Sequence, residues 1–316
     1  MEEIQKLGDD IFLIDCHDMN RPGRTGCYVL KGDKPSLIET SASPSIPYII
    51  SGLQKLEIPL EKISYIIVTH IHLDHAGGAG LLLQKCPNAK IVVHPKGARH
   101  LIDPSRLIAG AKAVYGEDFD RFFDPIVPIP KDKIIIKEHE ETIQISNDRV
   151  LTFYDTPGHA NHHFSIHDSK SNGMFTGDTA GIHYHELKNE NLPFFLPSTS
   201  PNQFDPEAME NALQLYEKLG IEKIFFGHYG MSTYPEMVYT KIRHYLPIFI
   251  QYGKAGFQKS DNFIKATEET YSLLMQHIRQ DLIEFGISPE HPVFEILKVD
   301  LQVSAMGLID YFSKLG

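Results

Sequence analysis

Tryptophan is absent from this 316-residue chain, cysteine occurs three times, and no apolar run approaches the ~18 residues of a membrane span. Cys16, Cys27 and Cys86 are odd in number, far apart and form no CxxC pair. They argue against a disulfide framework and a cysteine-based zinc site, and they favour a reducing compartment. Positive charge is also scarce: 30 Lys and Arg against 41 Asp and Glu give −11 with His neutral. That balance argues against broad binding to nucleic acid or to anionic membrane, so neither partner is expected. Met1 leads into Glu2, Glu3 and Gln5 with no basic or apolar leader region, so a cytoplasmic, soluble protein is expected. The 42% apolar residues suffice for a sizeable core.

Histidine, by contrast, is plentiful and clustered. Thr69-His70-Ile71-His72-Leu73-Asp74-His75-Ala76-Gly77-Gly78 places three imidazoles and a carboxylate within six residues. The cluster follows Ser64-Tyr65-Ile66-Ile67-Val68, a short β-branched run that reads as a buried strand. Ala76 to Gln84, rich in Ala, Gly and Leu, suits a helix against a sheet. The ligands then stand at the carboxyl end of a strand, where open α/β sheets form their binding crevices. A single histidine at a strand end is ordinarily structural, but several of them with an aspartate on one turn suit a divalent transition metal, zinc first.

Along the chain, Ile11–Ile14, Gly26–Leu30 and Ser36–Glu39 read as antiparallel strands, the last two joined by Lys31-Gly32-Asp33-Lys34-Pro35 turn chemistry. Ser43 to Leu56 reads as a helix, with Ile46, Ile49, Ile50 and Leu53 on one face. Strands at Ile63–Val68 and Lys90–Val93 complete a β-α-β alternation, the mark of α/β layers. Residues 94 to 132, punctuated by proline, read as a lid or substrate-shaping insertion with a helical piece at Ser105–Tyr115. Strands resume at Lys133–Ile136, Val150–Tyr154, Phe164–His167 and Met174–Thr176, and 182 to 204 reads as an active-site loop. Asp205-Pro206-Glu207 opens a helix that stops at Gly220, and a strand at Lys223–Phe226 follows. From Pro235 onward only helical stretches are expected, roughly 235–256, 260–285 and 289–314. The expected domains are therefore 1–234, an α/β layered body, and 235–316, a helical extension available for homodimerisation.

Three later strands repeat the opening pattern: Asp155-Thr156-Pro157-Gly158-His159, Phe175-Thr176-Gly177-Asp178 and Phe226-Gly227-His228 each place a candidate ligand after a glycine. Alone each is uninformative; in this order after a His-rich loop they form a set. On these motifs the sequence resembles the metallo-β-lactamase superfamily of dinuclear metal hydrolases. Around Gly158-His159-Ala160-Asn161-His162-His163 it resembles the thioester-hydrolase, glyoxalase II-like branch. The resemblance implies an αββα sandwich with His70, His72 and His159 on one metal. Asp74, His75 and His228 would hold a second, and Asp178 would bridge the two. Asp74 and Asp178 would be the catalytic carboxylates.

Seven ligands exceed what one open tetrahedral ion uses but suit two ions sharing a carboxylate, with zinc first and iron or manganese as alternatives. A water between them would be acidified and attack the substrate, so no Ser or Cys nucleophile is required. The expected reaction is hydrolysis of a small-molecule carboxylic thioester, ester or lactone. His163 either supports a ligand or simply opens the next strand. His183, Tyr184 and His185 either line the pocket or lie in a solvated loop, and Phe194 and Phe195 suit either an apolar acyl pocket or the core.

Two departures stand out. Glu39-Thr40-Ser41 occupies the place of the family's common Asp-Thr-Gly/Asp segment, which leaves that segment's supporting role unassigned. Gly181 stands where quorum-lactone hydrolases have a Tyr, which counts against an acyl-homoserine lactone, and no basic cluster suits a glutathione carboxylate. The alternatives on the same fold are a metal-dependent ribonuclease or phosphodiesterase, and a mononuclear-iron persulfide dioxygenase, which His75 and His228 disfavour. Flavin-coupled di-iron reductases carry Glu where this chain has His72. A degenerate binding protein is disfavoured by the complete ligand set.

Overall fold

The computed structural model describes residues 4–315. Met1, Glu2 and Glu3, on which the leader reading rests, lie outside the described residues. Two compact units form. The first comprises the chain up to Asp155, His162–Gly177 and Ile221–Thr233; the second comprises Thr156–Asn161, Asp178–Gly220 and the chain from Tyr234 onward.

The first unit is built on two sheets. A seven-stranded sheet runs in sequence order through β1 (Ile4–Gly8), β2 (Ile11–Asp15), β3 (Gly26–Leu30), β4 (Ser36–Ile38), β5 (Tyr65–Ile67), β6 (Lys90–Val93) and β7 (Ile134–Ile136). The first four strands pair antiparallel, and β4 to β7 pair parallel. The parallel half needs crossovers. These are α1 (Ile46–Lys55), then α2 (Leu73–Ala76) with α3 (Ala79–Lys85), then α4 (Pro95–Ile102), α5 (Ser105–Tyr115) and α6 (Phe119–Phe123). Strands buried on both faces read as unbroken apolar runs, which is why Ile66, Ile67 and Val68 lack alternation.

The six-stranded sheet contains β8 (Thr142–Ser146), β9 (Arg149–Asp155), β10 (Phe164–Asp168), β11 (Gly173–Gly177), β14 (Lys223–Phe226) and β15 (Met231–Ser232), in the order β15-β14-β11-β10-β9-β8. Ile11, Leu13 and Tyr28 of one sheet pack with Phe153, Phe164, Phe175 and Phe225 of the other. On the opposite face of the seven-stranded sheet, Val29, Leu37, Ile66 and Ile91 pack with Ile49 and Leu53 of α1 and Leu82 of α3. Each such buried side chain contributes about 1.5–3 kcal/mol. Arg149 is fully buried, and its Nε donates to Asp168 Oδ1 at 2.9 Å while its guanidinium also reaches the carbonyls of Lys31 and Asp9. A charge inside a core persists only with such partners.

The second unit holds β12 (Ile182–His183) paired antiparallel with β13 (Phe195–Leu196), and four helices: α7 (Pro206–Leu219), α8 (Pro235–Lys259), α9 (Phe263–Glu284) and α10 (Val293–Leu315). Asp205 caps α7, accepting from Glu207 N and Ala208 N at 3.0 Å each, and Gly220 ends it at φ +61°. The expected active-site loop at 182–204 thus contains a small hairpin. The expected helices from 235 share their unit with 156–161 and 178–220, since Phe194 packs edge-on against Tyr245 of α8 at 5.6 Å. Among the described residues, no helix is long and apolar enough to cross a membrane.

Candidate metal centre

In the first unit the carboxyl end of β5 runs into the histidine loop, and α2 begins at Leu73, so Asp74 and His75 stand in one helical turn. His70 and His75 are 0% and 1% exposed. The His70 ring lies 4.7 Å from that of His72 and 4.2 Å from that of His75. His228 arrives on the turn after β14, with its ring 5.2 Å from His75. Asp74 Oδ2 is 3.7 Å from both His75 Nε2 and His228 Nε2, and one ligand atom from each of the three lies within 4.8 Å of the others. Contacts of 3.7 Å are too long for hydrogen bonds. They match two ligands on one ion, which stand roughly 3.3–3.6 Å apart when each is about 2.0–2.2 Å from a tetrahedral centre. The donor set of imidazoles and carboxylates fits zinc or a similar divalent ion.

Supporting groups hold these rings. Glu39, buried at 2% exposure, accepts from Thr69 N at 3.0 Å through Oε1 and places Oε2 3.3 Å from His75 Nδ1. The role left unassigned at Glu39-Thr40-Ser41 is therefore filled by Glu39, whose longer side chain reaches from a backbone at φ +67°. Thr40 N and Oγ1 both donate to the His75 carbonyl, at 2.9 and 3.0 Å. Thr69 Oγ1 is 3.0 Å from His70 Nδ1. These partners sit on the Nδ1 side of His70 and His75, which leaves Nε2 as the ligand atom. The Tyr28 hydroxyl is shared between the carbonyls of Phe226 and Gly230, at 2.6 and 2.7 Å, which pins the His228 turn.

Gly177 is required at its place: φ is +47°, and a Cβ would come within 2.4 Å of His163 Nε2 and 2.5 Å of Thr69 Oγ1. At the His228 turn the left-handed backbone falls on Tyr229 and Gly230, at φ +57° and +88°.

Two groups in this unit lie outside the expected set of site residues. His162, 8% exposed, sets its ring 5.3 Å from His72 and 6.3 Å from His70. Asp18 is buried beside Arg24, whose Nε is 3.1 Å from its Oδ2. Burial pushes the Asp18 carboxyl up to about 6; Arg24 opposes the rise, Asp74 adds to it, and His228 and His75 oppose it. Asp18 thus lies within the electrostatic field of the cluster. His163 is fully buried, its ring 5.1 Å from His70, and β10 begins at the next residue.

In the second unit His159 and Asp178 are brought together, with His159 Nε2 3.6 Å from Asp178 Oδ2 and both residues nearly sealed from solvent. His159 Nδ1 lies 3.1 Å from the Ser198 carbonyl; a carbonyl only accepts, so Nδ1 donates and Nε2 carries the lone pair. The Ser198 hydroxyl donates to Asp178 Oδ2 at 3.2 Å. Gly158, at φ +135°, lets the chain turn against α7, where a Cβ would meet the Met209 backbone at 2.6 Å. Of the other candidates, His183 stacks on Phe195 at 5.1 Å and His185 Nε2 is 3.4 Å from Glu186. Tyr184, Phe194 and Phe195 are 2%, 0% and 1% exposed, and the Tyr184 hydroxyl donates to Asp300 at 3.2 Å. These aromatics build the interior of this unit.

The sequence profile of the metallo-beta-lactamase superfamily matches residues 20–228, more than half of the chain and every ligand position named above. The chain belongs to the metallo-β-lactamase superfamily. Among superfamily relatives, the metallo-beta-lactamase fold-containing protein ST1585 from Sulfurisphaera tokodaii is 29% identical over 177 residues, 55% of this chain and 63% of its own. Its crystal structure aligns with a TM-score of 0.62 at 26% identity, covering 74% of this chain and 85% of that one. The metallo-beta-lactamase family protein TTHA1429 from Thermus thermophilus aligns with a TM-score of 0.66 at 16% identity, covering 98% of this chain and 95% of that one, which shows a shared fold. N-acyl homoserine lactonase AttM from Azorhizobium caulinodans is 26% identical over 152 residues, 48% of this chain and 53% of its own. The chain thus spans 63% and 53% of the lengths of these two curated relatives.

Proposed function

We propose that this superfamily member is a metal-dependent hydrolase of a small-molecule carboxylic thioester, ester or lactone, using two divalent ions, zinc first. In this reading His70, His72 and His159 would hold one ion, Asp74, His75 and His228 would hold the other, and Asp178 would be shared between them. The observation that carries it is the convergence of Asp74, His75 and His228 at 3.7 Å contacts that are too long for hydrogen bonds and right for shared coordination. When bound, such ions acidify water toward neutrality and polarise a substrate carbonyl.

The chain's own residues prepare that chemistry. Glu39 beside His75 Nδ1, Thr69 beside His70 Nδ1 and the Ser198 carbonyl beside His159 Nδ1 fix the rings with Nε2 available. Asp74 is 17% exposed whereas His75 is 1% exposed, so Asp74 is the more solvent-accessible of the two. Likeness to a protein named as a lactonase supports a lactone, while Gly158-His159 and the following His163 support a thioester by their resemblance to the glyoxalase II-like branch.

A panel of thioesters, lactones, aryl esters and phosphodiesters, assayed with metal content measured in parallel, tests the reading. Turnover of a carboxylic substrate that disappears on chelation and returns with zinc, iron or manganese is the expected result. Turnover of the phosphodiester alone replaces the proposal with a nuclease.

A further inference from the structure

The α10 helix presents one face to the segment that carries Ser198. Asp300 accepts from the Tyr184 hydroxyl at 3.2 Å, and the Ser304 carbonyl accepts from Thr199 Oγ1 at 3.0 Å. Gly307 lies so close to Thr199 that a Cβ there would stand 1.7 Å from the Thr199 carbonyl oxygen. Tyr311 packs edge-on against Phe204 at 5.6 Å, and Lys314 donates to the Asn202 carbonyl. Residues 300, 304, 307, 311 and 314 recur at spacings of three and four, a single helical stripe. Thr199 is fully buried and Ser304 is 3% exposed, so the contact is an interior one.

Ser198 stands between this stripe and the two candidate ligands of the same unit. Its carbonyl sets the His159 tautomer and its hydroxyl anchors one Asp178 oxygen, while Ser200 Oγ lies 3.3 Å from His159 Nε2. We infer that α10 is a template for the metal centre: through Thr199 it fixes the 197–200 segment, and Ser198 is the positioning residue that aims His159 and Asp178. The inference rests on the two-ion reading above. It gives the carboxyl-terminal helix a task in metal binding in place of an appendage's. The chemistry is that of any metal ligand: an imidazole must present a lone pair and a carboxylate must be held at a fixed angle, and partners that do this typically govern about 10–100-fold in metal affinity.

The test uses the full chain, stripped with a chelator and titrated with zinc by calorimetry and with cobalt(II) by visible absorption. Ser198→Ala removes the hydroxyl and keeps the carbonyl. It is expected to weaken the ion that His159 also holds by about 10–100-fold and alter its cobalt spectrum, with a smaller change at the other ion, which shares Asp178, and with the metal-free protein still melting cooperatively. Ser198→Thr, which restores a hydroxyl, is expected to recover most of the affinity. Gly307→Ala, which must displace the Thr199 backbone, is expected to weaken the same ion from the helix side. Wild-type uptake of two ions with both affinities unchanged in Ser198→Ala overturns this inference alone. Wild-type uptake of fewer than two overturns the two-ion reading and this inference with it.

Discussion

In the first unit four candidate ligands come from six consecutive residues, and Thr69 and Glu39 brace them within the same sheet. In the second unit His159 and Asp178 stand on separate short segments, and the bracing comes from Ser198, which α10 fixes from more than a hundred residues away. The difference is one of how order is supplied. A ligand loop at the end of a buried parallel strand inherits its position from the sheet, because strand and first helical turn leave few conformations open. A pair on irregular backbone needs a dedicated support, and here a long helix with a five-residue stripe provides it.

Substitutions sharpen that contrast in decreasing order of effect. Asp178→Ala is expected to cost more than about 100-fold in kcat/KM together with metal occupancy, since even loss of a ligand's supporting partner costs 10–100-fold. Steady-state kinetics alongside metal analysis checks it, and full activity would remove Asp178 from the centre. Glu39→Gln loosens the first unit's support and is expected to weaken one ion by about 10-fold or more, on a different site from Ser198→Ala. Competition with a chromophoric chelator in the two variants and their double mutant separates the sites: additive losses support two braces, whereas a single shared loss merges them.

Tyr184→Phe removes the hydrogen bond to Asp300 and is expected to lower stability by about 0.5–1.5 kcal/mol in a thermal or urea melt. The smallest effect lies away from the ligands. The hydrogen bond from His94 holds the Asp155 carboxyl below its ordinary 3.8, so its stabilisation is present above that value and is lost as pH falls through the lowered folded value. Acid melts of wild type and His94→Gln are expected to converge toward low pH and to separate slightly above about pH 4.

The histidine loop was legible because its ligands are adjacent and follow an apolar run, and α7 because Asp205, Pro206 and Gly220 punctuate it. The helices from 235 were legible as long stretches of helical pattern with no strand signal. The second unit's composition was not, since segments around 160 and 190 join those helices through tertiary contacts with no local mark. The role of Glu39 was left open for a related reason: its reach to Thr69 and His75 depends on a left-handed backbone and a separation of thirty residues or more. Arg149, inside a strand that otherwise reads as half-buried, and Ser198, in a loop of small polar residues, look in sequence like surface positions. Their roles are set by what packs onto them.

The central claim is that two sets of ligands, differently braced, together hold a pair of ions. Equilibrium dialysis of the chelator-stripped full chain against zinc, followed by elemental analysis, tests it most directly. Two ions per chain in the wild type, falling to one or none in Asp178→Ala, is the predicted result. One ion or none in the wild type under zinc-replete conditions would contradict it.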